Sequence, residues 1–378
     1  LNELTHSFLL QTTVTQSAFS QARMKLKHTA FIELNQKAIV DVVYEENDHL
    51  TWKGHRLLAI DGMKLILPDC ESVRKEFGTN RIANQLETYH CEYSLAVASV
   101  MYDVLNHIAL DASLSHSKSY EVDLAIAHLA KTLSNDLMIF DRGYLSFRFL
   151  AELTFNKRHF LIRASSSSFT IINEMFYGNV SDQIVTLQAP KGQAKGLLAD
   201  NLPTQITVRL VRVRLSTGEF EVLVTSLLDQ TKYATSEFKD LYYQRWGVET
   251  FFSILKGRLS LENFTGQTAE SVRQDFHVTI YVSGLETILI HKAQQTLDQK
   301  SYSNVYPQKV NQAVAFNAIK NSVFELFDTK QDMDLLLQEL KQLFLMNPTL
   351  IRKSRSPERK KSIYLSYNFQ KRKRKLVF

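Results

Sequence analysis

Arg56-Leu57-Leu58-Ala59-Ile60-Asp61-Gly62-Met63-Lys64-Leu65-Ile66-Leu67-Pro68 is the stretch on which the fold turns. Arg56 to Asp61 reads as a strand ending at an acid, with a second apolar run behind it. Asp-Gly between two apolar runs is equally a type I′ hairpin signal, which would leave Asp61 as a turn residue. A second stretch, Leu137-Met138-Ile139-Phe140-Asp141-Arg142-Gly143-Tyr144, has the same form. An apolar strand entered from a helical segment presents its C-terminal residue at a ligand crevice. Its acid can also simply cap the next element. Around these runs lie a strand signal from Leu95 to Tyr102 and a helical one from about Glu121 to Lys131. Mixed order of this kind argues an α/β fold.

A third stretch reads as one helix. At 100° per residue Tyr242, Arg245, Glu249 and Lys256 fall at roughly 0°, −60°, −20° and −40°, one narrow stripe. Beside it Val248, Phe252, Leu255 and Leu259 form an apolar stripe that would seat the helix on a core. A carboxylate flanked by a phenol, a guanidinium and an ammonium suits a metal ion next to a phosphate. The plainer alternative is an amphipathic helix with Arg245 and Glu249 as an i,i+4 pair.

Composition sets the outer limits. A chain of 378 residues holds a substantial core and more than one structural unit. No apolar run approaches ~18 residues, so a membrane-spanning helix is not expected. The start, Leu1-Asn2-Glu3-Leu4, lacks the pattern of a signal peptide. Cys70 and Cys91 show no C-x-x-C spacing, which speaks against a disulfide framework or zinc site and for a reducing cytosol. The net charge of +6 is uneven. Residues 352 to 378 carry eleven Lys/Arg against Glu358 alone, leaving 34 basic and 38 acidic residues in the remainder. This basic tail, interleaved with Tyr364, Tyr367 and Phe369, suits contact with a nucleic-acid backbone, or is a solvated terminus.

Along the chain, residues 1–48 read as helical, with Ser17 or Ser20 capping a helix that bears Phe19, Ala22 and Leu26 and that on sequence alone could be a packing helix. Residues 49–163 carry the first α/β half. Residues 164–227 turn to strands, with alternation through Ile206 to Leu215 and a hairpin at Ser216-Thr217-Gly218. Residues 228–300 hold the Glu249 helix, 301–351 a helical region with Leu336, Leu340 and Leu343 as core, and 352–378 the tail. There is no internal repeat, Walker A loop, G-x-G-x-x-G or H-E-x-x-H. His90 and His107 have no ligand partners at metal spacing.

Taken together, Asp61-Gly62-x-x-Leu65-x-Leu67-Pro68, Asp141-Arg142-Gly143-Tyr144 and Tyr-x2-Arg-x3-Glu-x6-Lys over residues 242 to 256 resemble the three signatures of the DDE transposases of the insertion-sequence-four group. The last spacing fits that group's Y-R-E-K signature without a gap. The resemblance implies an RNase H-like catalytic core, interrupted by a β-rich insertion between the second Asp and the Glu, with helical regions at either end, of which residues 1–48 would be a DNA-binding region contacting the element ends. Separations of 80 residues from Asp61 to Asp141 and 108 from Asp141 to Glu249 leave room for the insertion.

The same resemblance implies that Asp61, Asp141 and Glu249 hold two Mg²⁺ ions, with Mn²⁺ an acceptable substitute. Two Asp and one Glu are a suitable inner set for hard divalent ions, and three convergent carboxylates would otherwise repel each other. Arg245, Lys256, Tyr242 and Arg142 would contact DNA or its phosphates. The expected activity is binding of insertion-element ends, metal-dependent cleavage and strand transfer through a hairpin. Double-stranded DNA (terminal inverted repeats and target) and a second copy in a synaptic homodimer are the expected partners, in a bacterial cytoplasm. The family's aromatic for holding a flipped base is commonly a Trp in the insertion. Here Trp52 and Trp246 lie outside it, leaving Phe169, Phe176 or Tyr177 as substitutes. Glu262 is an alternative third acid. A catalytically inactive DNA-binding regulator derived from a transposase, and an RNase H-like nuclease that cuts without joining, are the rival readings.

Overall fold

The structure, a computed structural model, describes residues 14–45, 49–83, 90–215, 217–301, 306–327 and 332–351. The basic tail at 352–378 lies outside them. The chain forms two compact units, one of residues Val43–Leu67 and Arg74–Ser253, the other of Leu1–Val42, Pro68–Val73 and Ile254–Phe378. Helical segments from both ends of the chain fall in the second of these units.

The first unit is built on a sheet. Its strands are β1 (Leu57–Ile66), β2 (Thr79–Ala83), β3 (His90–Asp103), β4 (Ile108–His116), β5 (Leu137–Phe140), β6 (His159–Arg163), β7 (Asp182–Gln188), β8 (Gln205–Arg214) and β9 (Phe220–Thr225). β3 pairs antiparallel with both β1 and β4, while β5 pairs parallel with β1 and β6 parallel with β5. The order β4-β3-β1-β5-β6, with β3 the one reversed strand, is the RNase H-like arrangement. Two helices make the crossovers that parallel pairing demands: α1 (Glu121–His128) before β5 and α2 (Phe147–Phe155) before β6. All four residues of β5 are fully buried, as the continuous apolar run Leu137 to Phe140 requires of a strand covered on both faces.

The insertion does not form a separate sheet. β9 pairs antiparallel with β6, and β8 and β7 follow, so the central sheet is extended at that edge. Helices at Thr170–Tyr177 and Ala194–Ala199 make the insertion mixed where sequence suggested strands alone. Arg209, fully buried on β8, is held by the Asp182 carboxylate through Nε at 2.8 Å and Nη2 at 2.5 Å. This two-point pairing explains how β8 accommodates a cation inside.

In the second unit the helix Gln16–Lys25 is capped by Thr15, whose Oγ1 accepts from Ala18 N at 3.1 Å, in place of Ser17 or Ser20. None of its residues is buried and Phe19 is 51% exposed, so its apolar set is not core. In the helical region expected over 301–351 the helices are Gln312–Ser322 and Met333–Met346. Asn311 and Asp332 cap them, each accepting from a backbone N–H of the helix it starts. Leu336 and Leu340 are buried as expected, but Leu343 is 40% exposed and Phe344 takes the core position. Among the described residues no helix is long and apolar enough to cross a membrane.

Candidate active site

Asp61 does not end a strand, nor does it sit in a hairpin. β1 runs unbroken through Asp61 and Gly62 to Ile66, because β3 pairs with it along its length, Asp61 opposite Val100 and Gly62 opposite Ser99. On its other edge the parallel pairing with β5 is Leu57 to Leu137, Leu58 to Met138 and Ala59 to Ile139, a constant offset of 80 residues. Continued by two residues, that offset sets Asp61 level with Asp141. Level residues of adjacent parallel strands share a face, so the register delivers both acids to one place. Asp141 follows the last residue of β5 and also caps the short 3₁₀ turn Arg142–Tyr144, its Oδ1 accepting from Arg142 N at 2.6 Å. The capping reading of Asp141 therefore holds, at the end of a buried strand. The Arg142 side chain is exposed.

Glu249 comes on a helix that is not the continuous one expected. α3 (Phe238–Tyr243) ends before Arg245, α4 (Trp246–Ser253) carries Glu249, and a π turn follows at Ile254–Arg258. Between α3 and α4 the backbone bonds tighten to i,i−3, Arg245 N to Tyr242 O at 3.0 Å and Val248 N to Arg245 O at 3.2 Å. Tight and wide turns advance by different angles per residue, so the four-residue stripe does not keep its phase. The apolar stripe survives, with Val248, Phe252, Leu255 and Leu259 all buried. α4 is seated on the sheet by Phe251, which stacks on Tyr102 of β3 with ring centroids 4.4 Å apart. Gly247 makes this seat close: a Cβ there would lie 3.0 Å from Val104 Cγ1.

Arg245 joins strand and helix. Only 4% exposed, its Nη2 donates to Glu249 Oε1 at 2.5 Å and its Nη1 lies 3.6 Å from Asp61 Oδ2. Its ring neighbours are Tyr242 and Trp246, at 6.0 and 5.0 Å from the guanidinium carbon. Trp246 is 44% exposed. Tyr242 is buried, so its ring is not offered to a base, and its hydroxyl has no hydrogen-bond partner among the described residues. Lys256 lies in the π turn, in the other unit, where its Nζ is 3.4 Å from Glu262 Oε1. That contact occupies the alternative third acid as well.

The electrostatics follow from burial. Desolvation pushes the Asp61 carboxyl up to about 6, against the Gly62 N–H and Arg245, and the charges of Glu121 and Glu249 raise it further. Burial likewise raises the phenols of Tyr144 and Tyr242, and for Tyr144 the Asp61, Glu121 and Asp141 charges add to it. The Tyr144 hydroxyl, on a ring 2% exposed, is also without a partner among the described residues. Glu121 was read from sequence only as the start of a helix. Nothing local marks it, because its neighbour at the site, Gly62, is 59 residues away in the chain. Among the described residues no three His, Cys, Asp or Glu side chains converge closely enough to hold a metal ion as they stand.

The family model described as Transposase DDE domain matches residues 53–283, the span that contains all three acids. The chain belongs to the DDE transposase family. It is 27% identical over 256 residues to the Escherichia coli K12 transposase InsG for insertion sequence element IS4, covering 67% of this chain and 55% of that protein. Over 155 residues it is 28% identical to the putative transposase InsZ of the same organism, covering 40% of this chain and 50% of that one. The chain thus spans about half the length of the curated relatives it matches. A cryo-EM structure of the piggyBac transposase synaptic complex with hairpin DNA aligns with 80% of this chain and 59% of its own at 12% identity. With a TM-score of 0.41, that likeness is too distant to carry residue roles across.

Proposed function

We propose that this DDE transposase is catalytically competent, and that Asp61, Asp141 and Glu249 are its reaction-centre carboxylates. The observation that carries the reading is the β1–β5 register, which sets Asp61 level with Asp141, together with Arg245, which ties Asp61 to Glu249. The donor set fits a hard divalent ion. All the ligands offered are carboxylate oxygens, and burial has made the Asp61 charge costly enough to favour a cation beside it. Because the acids do not converge while Glu249 is held by Arg245, that i,i+4 contact would open on loading, and Glu249 is the more exposed partner. Bound Mg²⁺, or Mn²⁺ in its place, would neutralise phosphate charge and activate an oxygen nucleophile.

The residues themselves do the rest. Asp61 and Asp141 hold fixed positions set by strand register, and Glu249 closes on them from α4. Arg245 keeps the two sides together before loading and, released from Glu249, supplies positive charge next to the scissile phosphate. Arg142, exposed beside Asp141, is offered to a flanking phosphate by its fork, and Lys256, in the second unit, is read as a point charge for DNA phosphate. The substrate in this reading is the double-stranded terminal repeat of an insertion element, cut and then joined to target DNA by a synaptic homodimer in the cytoplasm. The hairpin route belongs to the same reading, and the basic tail suits non-specific DNA affinity. Tyr177, 80% exposed at the end of its helix, is better placed to meet a base than the partly buried Phe169 and Phe176.

The test is a time course on an end-labelled element-end duplex with Mg²⁺, resolving nicked, hairpin and joined products. All three are expected. Binding without any cleavage would make the chain a regulator, and nicking without hairpin or joining would make it a nuclease.

A further inference from the structure

A fourth carboxylate lies at this centre, from an element that none of the three sequence signatures includes. Glu121 opens α1, and its carboxyl lies against the backbone of Gly62. A Cβ added at Gly62 would sit 2.8 Å from Glu121 Cδ, 2.9 Å from Cγ and 2.9 Å from Oε1. Gly62 follows Asp61 on β1, so the absence of a side chain there lets the Glu121 carboxylate lie against the strand one residue from Asp61. The approach is built in. Glu121, Ala125 and His128 fall on one face of α1, at offsets of 0, 4 and 7 residues. Ala125 is fully buried and His128 is 1% exposed. His128 Nδ1 is 2.8 Å from Asp111 Oδ2 and its Nε2 is 3.0 Å from Ser99 Oγ. Ser99 is the β3 residue paired with Gly62, so the histidine pins α1 in the register that lays Glu121 over Gly62.

Among the described residues no hydrogen bond or ion pair engages the Glu121 carboxylate. A second observation points the same way. The buried Tyr144 hydroxyl has no partner among the described residues, and the charges of Asp61, Glu121, Asp141 and Arg245 act on it. A buried orphan donor where those charges act is a group awaiting an oxygen ligand or an ordered water.

We propose that Glu121 is a fourth carboxylate of the reaction centre and helps to hold the divalent ion there, directly or through a bound water. This rests on the assignment of Asp61, Asp141 and Glu249 made above. The competing structural role is stabilisation of a helix N-terminus by an acid in its first turn, which would move thermal stability and leave ion binding untouched.

The experiment is Mn²⁺ binding to the full chain by calorimetry and electron paramagnetic resonance, with melting temperature recorded for each variant. Glu121→Gln should weaken Mn²⁺ affinity on the order of 10–100-fold, the range for supporting ligands, at nearly unchanged melting temperature. Glu121→Asp should recover part of the loss. Asp123→Asn, exposed two residues along the same helix, should bind as the parent does. Wild-type affinity in Glu121→Gln alongside lost binding in Asp61→Asn would overturn the Glu121 proposal and leave the centre standing. Wild-type affinity in both would overturn the centre itself, and Glu121 with it.

Discussion

Asp61 and Asp141 are placed by backbone hydrogen bonds, while Glu249 is placed by side chains alone. The first lies on β1 and the second just past the end of β5, and the pairing of those two strands sets their relative height. The third rides a short helix bounded by a 3₁₀ connection and a π turn. It is located by a stacked ring pair, a glycine contact and one arginine. The sheet side is therefore rigid and the helix side adjustable. An ion-assembled centre of the kind proposed needs one of each: a fixed pair to define the site and a mobile acid to close it.

The hardest way to break this comparison is to remove an acid from either side. Asp61→Asn, Asp141→Asn and Glu249→Gln should each lower strand cleavage by roughly 10³-fold or more. Double variants should be scarcely worse than singles, as expected of groups that act as a unit. The two sides should differ in metal dependence. If the helix side closes on loading, Glu249→Gln should retain weak Mn²⁺ binding, whereas Asp61→Asn should not. Equal retention in both would show that the strand pair has no priority.

A smaller effect, confined to the helix side, should come from Gly247. Gly247→Ala puts a methyl group 3.0 Å from Val104 Cγ1 and displaces α4. Overpacking of this kind costs about 1–3 kcal/mol, and it should lower cleavage about 10–100-fold by misplacing Glu249, since small displacements of a reacting group are costly. Val104→Ala in the same chain should restore most of the loss, because it clears the space. Failure of that rescue, with folding intact, would mean that α4 is not located by this contact.

What could be read from the residues divides along the same line. The strand acids were legible because an apolar run ending at Asp is a local pattern, and the spacing from Asp61 to Asp141 is also the register offset of the sheet. Asp-Gly was misleading at 61 and 62, since pairing with β3 overrides local turn preference once the strand is inside a sheet. The helix was legible in its buried stripe, Val248, Phe252, Leu255 and Leu259, and illegible in its polar one. A 3.6-residue wheel assumes one helix, whereas Tyr242 and Lys256 lie on the far sides of two changes of pitch. Glu121 and Tyr144 could not be found as partners by any window, because tertiary contacts alone bring them to Asp61.

Arg245 joins the two sides, and its replacement sharpens the comparison further. Arg245→Lys keeps the charge but cannot reach both Asp61 and Glu249 in one plane. It should lower hairpin formation and joining about tenfold, more than first-strand nicking, because a mobile water needs less positioning than a held 3′-hydroxyl. Lys256→Ala should act in the same direction and more weakly, since Lys256 already shares its charge with Glu262. Uniform slowing of all three steps in a single-turnover time course would return both residues to structural pairing.

The smallest effect expected is on stability, and it separates burial from function. Glu286 is a second acid raised by burial, to about 8, with Arg258 opposing the rise only in part. It is 3% exposed on the long helix Ala269–Ser301, and its Oε1 has no hydrogen-bond partner among the described residues. Unlike at Asp61, among the described residues no other acid's charge acts on it, so its raised affinity for a proton has only a folding consequence. The native state holds this proton more tightly than the unfolded chain does. Its contribution to stability is therefore complete below about pH 4.5, the ordinary value, and lost progressively as pH rises through about 8. Glu286→Gln removes the titration and keeps the shape. Its melting temperature should lie roughly a few degrees above that of the parent at pH 8 to 9, with the gap closing toward pH 5. Cleavage near pH 7 should be unchanged. Melting curves that run parallel across this range would show that the helix pays no penalty for ionising Glu286. A loss of cleavage at unchanged stability would instead place a functional acid in the second unit.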